Sequence, residues 1–464
     1  MKGTKIVLVV AMLAMVLASC APSATPTPVV ITQTQVVKET QIVQQTVVAQ
    51  PTAAPALPAK QVNIVMWQLL SGTMAGVLDE QVAKFNASQS RIKVEIINQG
   101  GYDGIQQKML AALAAGGKDM PHVTMIDYIN VPFYAQEGTL VPLDDYFTPE
   151  AWKDFIPGLL ADLKYQGKTY AVPANRSTQG FYYNKDLFRA VGLDPDKPPT
   201  TWDEFREYGK KLSDPSKDQY GTYGFWQRWY FPIMVYGFGG QMNDAEGNCT
   251  YDSPEVVAAM TYWQNLKKDG ISVIPANLTG AFEVQASEFV AGKIGMMFQS
   301  TAILSWIGDT VPFDWGFAMF PAGPAGRFVT HGAANYAVCT GKSPEETQAA
   351  IELVDWLSAP TQTAEFHMKT GYMPGRWSAM ELPETKAFYE THPFYKIAVE
   401  QLEWAHPTSS IEFSVKEWGT YLQNTTLTDI FINDRDPATV LKESCVYIND
   451  LVKKYRAEGK MILR

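Results

Sequence analysis

The sequence predicts an α/β protein of two lobes, each built on a mixed, mainly parallel sheet. Strand-like runs alternate with helix-like runs from residue 61 onward, starting with a strand at 61–67, a helix at 74–86 and a strand at 91–97. Residues 61–464 are also too numerous for one ordinary hydrophobic core, and two lobes accommodate them. In such sheets ligands bind beyond the carboxyl ends of the strands, so the loops there become candidate sites.

The alternation continues with a helix at 102–115 and a strand at 122–126. Ile105, Met109 and Leu113 fall on one stripe of that helix, and Gly116 with Gly117 is a plausible stop. Two short buried strands are predicted at 293–298 and 335–340. Three later helices are predicted where an oxygen acceptor precedes proline: Ser253-Pro254, Ser343-Pro344 and Asp436-Pro437.

Residues 170–205 carry the most specific pattern of the chain. A strand end at 171–173 and an apolar run at 181–183 precede a brief helix that opens at Asn184 and stops at Gly192. Thr201 stands three residues before Glu204, a capping-box spacing that predicts the start of another helix. The motifs YNKDLF (183–188) and PPTTWDE (198–204) resemble the signature of extracellular solute-binding proteins of ABC importers, the group with maltose-type and glycerol-phosphate-type binders.

This resemblance implies a periplasmic-binding-protein-like fold of the class II type, with a hinge of several chain segments. The first lobe is expected to comprise residues 61–173 and 330–371, and the second residues 174–329 and 372–464. The implied function is capture of a neutral sugar or oligosaccharide between the lobes and its delivery to the permease subunits of an importer. The resemblance implies a monomer that needs no cofactor and performs no catalysis.

The N-terminus has the pattern of a secretory signal. Lys2 and Lys5 precede an apolar run at 6–17 that is too short to span a bilayer, which predicts a signal peptide over residues 1–19. Leu17-Ala18-Ser19-Cys20 resembles a bacterial lipobox, which implies lipidation of Cys20 and an extracytoplasmic protein anchored to the cell membrane. A soluble secreted protein with a chance cysteine is the alternative.

Residues 20–60 then form the predicted lipid attachment point and a disordered tether. The stretch after Cys20 has no aromatic residue and no glycine, and is rich in Pro, Thr, Gln, Val and Ala, so it cannot bury enough surface to offset its ordering entropy. As a flexible coil this stretch would have a root-mean-square end-to-end distance of roughly 35 Å. A strand or coiled segment within 29–48 is the competing interpretation, because Val and Thr favour strands.

Composition excludes several other classes. The formal net charge of -10 argues against nucleic acid as a partner and disfavours anionic ligands at long range. Cys249, Cys339 and Cys445 allow at most one disulfide and leave one thiol over. No zinc spacing is present, and the sequence predicts no metal site.

A sugar site needs flat aromatic platforms together with planar polar groups. The densest aromatic cluster is FWQRWYF at 225–231, from which Trp226 and Trp229 are candidate platforms. About half of seven consecutive residues must point inward on a regular element, so either tryptophan could instead belong to the core.

The family pattern supplies the remaining candidates, residue by residue. They follow predicted strands or the segments that return between the lobes: Trp67, Gln68, Asp127, Tyr128, Asn130, Arg176, Ser177, Ser300, Gly332, Asn335, Arg376 and Trp418. Arg176 is equally explained by a surface or lobe-bridging ion pair, Asp127 by a turn cap, and Trp418 by an ordinary amphipathic helix.

Three alternative functions stay open at this point. A glycerol-phosphate binder is weakened because residues 405–418, where that branch is expected to carry a phosphate-binding arginine, contain none. A glycoside-processing enzyme would need two carboxyl groups at a set separation, which the resemblance does not supply. Tyr182-Tyr183 is similar to the tyrosine pair of ferric-ion binders, but Asn184-Lys185-Asp186 follows the sugar-binder pattern.

Overall fold

The computed structural model describes residues 61–224, 227–273 and 281–463. The predicted signal peptide, the Cys20 lipidation site, the tether and Trp226 lie outside the described residues. None of the helices in the described ranges combines the length and the apolar character that crossing a bilayer requires.

The strands of the described chain form one large mixed sheet and one small hairpin. The large sheet has the order β2-β1-β3-β11-β6-β9-β7-β8, with β10 paired to β6, and the hairpin is β4-β5. The strands are β1 Val62–Gln68, β2 Ile92–Asn98, β3 Val123–Asp127, β4 Lys164–Tyr165, β5 Lys168–Thr169, β6 Val172–Asn184, β7 Tyr220–Tyr223, β8 Ser272–Val273, β9 Ile294–Ser300, β10 Trp315–Ala318 and β11 His331–Val338.

Helices cover the sheet and connect its strands. They are α1 Gly72–Ser88, α2 Gly101–Ala114, α3 Val131–Gln136, α4 Pro149–Asp154, α5 Pro157–Leu160, α6 Lys185–Ala190, α7 Trp202–Leu212, α8 Phe231–Gly237, α9 Pro254–Lys268, α10 Ala281–Val290, α11 Leu304–Thr310, α12 Pro344–Leu357, α13 Pro360–Thr370, α14 Trp377–Glu381, α15 Pro383–Thr391, α16 Pro393–Glu400, α17 Ser410–Ser414, α18 Trp418–Tyr421, α19 Thr428–Phe431 and α20 Pro437–Ala457.

The predicted α/β fold with a mixed sheet is confirmed. The opening strand, helix and strand are β1, α1 and β2, and β1 pairs in parallel with both β2 and β3. A second parallel group, β9-β7-β8, stands at the other end of the sheet. The three helices predicted from a capping oxygen before proline are α9, α12 and α20, and each N-cap side chain accepts a backbone N–H of the first turn.

Strand β6 is the element that joins the two parallel groups. Its first part, up to Thr178, pairs with β11, and the part from Gln179 pairs with β9. The sequence predicted a strand end at 171–173 and a separate apolar run at 181–183, but the structure has one continuous strand of 13 residues, buried along its whole length. The polar stretch between those runs concealed the strand, because it has no hydrophobic pattern.

The hydrophobic residues pack into separate cores, and the two largest include opposite ends of β6. One core draws on residues 62–174 and 334–372, with Ala302 in addition. Another draws on residues 181–329 and 411–455. This distribution is compatible with the predicted lobes, whose boundaries stay a prediction.

A disulfide bond between Cys249 and Cys445 links two distant parts of the second core. The Cα atoms are 5.3 Å apart and 196 residues separate the cysteines along the chain. Cys339 is the free, buried cysteine, in agreement with the expectation of at most one disulfide. Because the bond ties α20 to the loop before α9, it restricts the unfolded chain over a long loop.

Replacing both Cys249 and Cys445 by serine is expected to lower the free energy of unfolding by about 2–5 kcal/mol, because the unfolded chain regains the entropy of the closed loop. Urea titration of the oxidised wild type and the variant measures the difference. Reduced wild type is the matched control and should resemble the variant. Equal midpoints for oxidised and reduced wild type would contradict the prediction.

Candidate functional site

A cavity of about 310 Å³ lies beyond the carboxyl end of β3, where the fold predicts a ligand. We call it the ligand cavity. One wall comes from α2, the end of β3 and α3, and the other from the segment around Arg228 and from α17 and α18 with the residues after them. Its polar and aromatic lining includes Tyr102, Asp103, Gln106, Asp127, Asn130, Phe133, Arg228, Glu412, Lys416, Trp418, Gln423 and Asn424.

Asp127 is the last residue of β3 and brings a carboxylate to the ligand cavity. Its Oδ1 atom is buried and has no hydrogen-bond partner among residues 61–224, 227–273 and 281–463. Burial raises the pKa of Asp127, whereas the positive charge of Arg228 opposes that rise. A ligand hydroxyl that donates a hydrogen bond to Oδ1 would satisfy this acceptor.

Glu412 faces the same cavity from the opposite wall. Its Oε2 atom accepts the backbone N–H of Ser409 at 2.9 Å, and the Ser409 hydroxyl accepts the N–H of Glu412, so the pair forms a capping box at the start of α17. Burial raises the pKa of Glu412 to about 7, with Arg228 acting in the opposite direction. The carboxyl group therefore changes its charge near neutral pH.

Trp418 and Lys416 complete the second wall. Trp418 is 4% exposed, and its indole Nε1 donates to the hydroxyl of Tyr251 at 2.6 Å, so the ring is held in place while it lines the ligand cavity. The ammonium of Lys416 lies 3.4 Å from the ring centroid of Phe133 on the first wall. This cation–π contact connects the two walls at the cavity.

Arg176 is not among the residues that line the ligand cavity, and its contact with a ligand stays a prediction. It is fully buried, donates to Oδ1 of Asn335 at 2.8 Å and lies 2.5 Å from Nδ1 of His331. A guanidinium only donates, so Nδ1 of His331 accepts and its Nε2 carries the proton. That Nε2 lies 3.1 Å from Oδ2 of Asp162. Arg176 is thus a buried cation that is hydrogen-bonded to side chains of β11.

The same network engages Asn335 and Tyr128. Asn335 also donates to the backbone carbonyl of Ile126 at 3.2 Å, so its amide is occupied by protein groups. The Tyr128 ring stands edge-on to His331 at 5.2 Å and lies under the guanidinium of Arg176. Both residues support the strand that ends at Asp127, and neither side chain lines the ligand cavity.

Five further predicted residues do not line the ligand cavity and make local contacts, and their contact with a ligand stays a prediction. Trp67 packs against the first core, Gln68 accepts the N–H of Leu70, and Ser300 accepts the N–H of Ala302. Ser177 pairs with Gly332 in the β6–β11 ladder and is buried. Arg376 donates to the carbonyl of Ser358 and stacks on the Phe155 ring at 4.0 Å.

Gly332 has a steric role that differs from the predicted one. The sequence suggested that small residues there let backbone amides approach a ligand, but a Cβ atom at 332 would lie 2.9 Å from Nε1 of Trp229. Glycine therefore makes room for an indole of the protein itself. Trp229 is half-buried, and its backbone carbonyl accepts from Gln179 and Thr330.

Asp127, Asn130 and Trp418 are the predicted residues that the structure brings together at the ligand cavity. The cavity is also lined by residues that were not predicted from sequence: Tyr102, Asp103, Arg228, Lys416, Gln423 and Asn424. Arg228 had a usable signal, since it is the one cation inside the aromatic run 225–231. No metal-binding group of three or more His, Cys, Asp or Glu side chains occurs in the part of the chain that the structure describes.

Replacing Glu412 by glutamine is expected to remove a pH-dependent loss of stability. The folded pKa of about 7 lies above the unfolded value of about 4.3. The contribution of Glu412 to the free energy of unfolding is therefore fully present below the unfolded pKa, and it is lost as pH rises through 7. Glutamine preserves the capping box. Relative to wild type, E412Q should gain about 3 kcal/mol between pH about 4.5 and 8.

Urea titrations at several pH values measure this difference. Glu384→Gln on the exposed start of α15 removes the same charge away from the ligand cavity and serves as the matched control. A stability difference between E412Q and wild type that does not vary with pH would contradict the assignment.

Comparison with known proteins places this geometry in a family. A family model described as bacterial extracellular solute-binding protein matches residues 80–393. The sn-glycerol-3-phosphate-binding periplasmic protein UgpB of Escherichia coli O6:K15:H31 is 27% identical over 359 residues, which are 73% of this chain and 80% of that protein.

Solved structures agree with the sequence relatives. UgpB from Mycobacterium tuberculosis in complex with glycerophosphocholine superposes with a TM-score of 0.76 at 27% identity, covering 86% of this chain and 99% of that one. The maltose-bound T. maritima MalE3 superposes with a TM-score of 0.72 at 26% identity, covering 85% and 99%. The chain belongs to the bacterial extracellular solute-binding proteins, the extracytoplasmic ligand-binding components of ABC importers.

Proposed function

We propose that this importer component captures a neutral sugar or oligosaccharide in the ligand cavity. The observation that carries the proposal is the joint presence of a fixed indole, Trp418, and carboxylates on both walls, Asp127 and Glu412. The part of the indole that lines the cavity offers an apolar surface to the C–H groups of a sugar ring. The carboxylates accept hydroxyl hydrogens, and Asp127 has an acceptor atom free for this purpose.

Charge favours a neutral ligand over a phosphorylated one. Three carboxyl groups, those of Asp103, Asp127 and Glu412, line the ligand cavity against two cations, Arg228 and Lys416. Lys416 is already placed over the Phe133 ring, and the charge of Arg228 acts on Asp127 and Glu412. A phosphate would have to compete with these carboxylates for the guanidinium, whereas a polyol would not.

A glycerol-phosphate or glycerophosphodiester ligand is the second candidate. Arg228 is exposed at the ligand cavity and offers the planar donor fork that suits phosphate. The absence of an arginine from residues 405–418 therefore argues less strongly against phosphate than it does from sequence alone. The relatives named for glycerol 3-phosphate and glycerophosphocholine support the same candidate.

We place the capture step between two hinged lobes, residues 61–173 with 330–371 and residues 174–329 with 372–464. The two walls of the ligand cavity come from different lobes in this division. A ligand that touches both walls binds the closed form more tightly than the open form, so it shifts the population toward closure. The loaded, closed form is the species presented to the permease subunits.

The same proposal covers the protein's setting. The chain acts as a monomer, is held at the outer face of the cell membrane by a lipid on Cys20, and extends from it on the tether of residues 20–60. It binds its ligand without chemical change. Incubation of the purified protein with oligosaccharides should therefore leave them intact, and turnover would favour a glycoside-processing enzyme instead.

Calorimetry against a ligand panel tests the substrate class. The panel contains maltose, maltotriose, mannobiose, sn-glycerol 3-phosphate and glycerophosphocholine. We expect heat of binding from a saccharide and none from the phosphorylated compounds, together with a smaller radius of gyration by X-ray scattering when the saccharide is added. Binding of a phosphorylated compound alone would replace the sugar by the second candidate, and binding without compaction would contradict lobe closure.

Replacing Asp127 by asparagine is expected to raise the Kd of the saccharide found in this panel by ten- to a hundredfold. The change removes a charge-assisted acceptor that is worth about 1.5–3 kcal/mol, while the side chain keeps its size. Asp145→Asn, an exposed aspartate away from the ligand cavity, is the matched control. An unchanged Kd in D127N would assign Asp127 to local structure.

A further inference from the structure

A second, larger cavity of about 870 Å³ lies between α5 and the helices α14 to α16. We call it the aromatic cavity. It shares no lining residue with the ligand cavity. Its apolar floor includes Ile156, Val399, Met380 and Leu402, which belong to a small hydrophobic cluster of their own. Its size falls within the range of small-molecule sites in proteins.

Two aromatic side chains stand on the walls of this cavity. Trp377 is 45% exposed, unusually so for a tryptophan. The hydroxyl of Tyr389 is fixed by His367. Nδ1 of His367 donates to the carbonyl of Tyr372 at 2.7 Å, which leaves Nε2 as an acceptor. The Tyr389 hydroxyl donates to that Nε2 at 2.9 Å. Burial lowers the pKa of His367 to about 4, so the imidazole stays neutral and this arrangement persists at neutral pH. The Tyr389 ring therefore lines a preformed cavity.

The rim of the aromatic cavity is acidic. Four glutamates and two lysines line it: Glu381, Glu390, Glu400, Glu403, Lys386 and Lys396. Lys386 pairs with Glu381 at 2.7 Å and Lys396 with Glu400 at 3.5 Å. Glu390 and Glu403 have no ion-pair partner within the described ranges of the chain. Two uncompensated carboxylates thus face an apolar, aromatic space.

We infer that the aromatic cavity is a second binding site, for an organic ammonium ion with an apolar body. Aromatic faces attract a cation through the ring quadrupole, and the attraction is strongest for an indole. The free carboxylates supply the countercharge, and the apolar floor buries the hydrocarbon body. An anionic amphiphile would meet net repulsion at the same rim, and so would a second copy of this acidic chain.

The test compares two probes of nearly the same shape and opposite charge, 4-phenylbutylamine and 4-phenylbutyrate. Calorimetry and tryptophan fluorescence of the full mature chain should show saturable binding of the amine and at least tenfold weaker binding of the carboxylate. The double variant Glu390→Gln/Glu403→Gln should weaken amine binding at least tenfold, while Glu384→Gln leaves it unchanged. Trp377→Phe should remove the fluorescence change.

Equal binding of both probes, no binding of the amine, or full amine binding by the double variant would each overturn the inference. Asp127→Asn should not alter amine binding, because Asp127 lines only the ligand cavity. The amine site is therefore tested independently of the proposed sugar capture. Either proposal can be contradicted while the other stands.

Discussion

The compensation of one buried charge, that of Arg176, organises the centre of this molecule. A guanidinium in the middle of a sheet needs acceptors for its donors. Asn335 and His331 supply them to the two terminal nitrogens from the neighbouring strand, while Nε has no hydrogen-bond partner among the described residues. Asp162 provides the negative charge behind His331 and also accepts the hydroxyl of Thr408 at 2.6 Å. The network thereby joins chain segments that are far apart in sequence.

The hydrogen bonds around Arg176 are connected to the ligand cavity through one strand, β3. Asn335, held by Arg176, donates to the carbonyl of Ile126, and the next residue is Asp127 at the end of β3. The position of the Asp127 carboxylate therefore depends on the buried network behind it. The opposite wall is positioned by different means, a capping box that fixes Glu412 and a hydrogen bond that fixes Trp418. Both walls are preorganised before any ligand arrives, which lowers the entropy lost on binding.

The helices and strands could be predicted from sequence more readily than the roles of polar side chains, and the reason is physical. Asn335 and Gln68 have hydrogen-bonding groups that a sugar site needs, but the folded chain supplies partners for them. A sequence states which donors and acceptors exist and not whether protein or ligand will satisfy them. One oxygen atom of Asp127, in contrast, is left without a partner in the described structure. That distinction exists only once the chain is folded.

What the sequence determined by itself is local: the alternation that makes β1, α1 and β2, the capping oxygens before proline, and the family to which the chain belongs. The strands, helices and caps follow from neighbours along the chain, where periodicity and capping act. The family follows from the motifs at 183–188 and 198–204. Only the tertiary structure decided that Cys249 pairs with Cys445, that β6 runs unbroken through a polar stretch, and that Arg228 meets Glu412 at one cavity. Each of these depends on residues that are distant in sequence, and their proximity arises only when the chain folds.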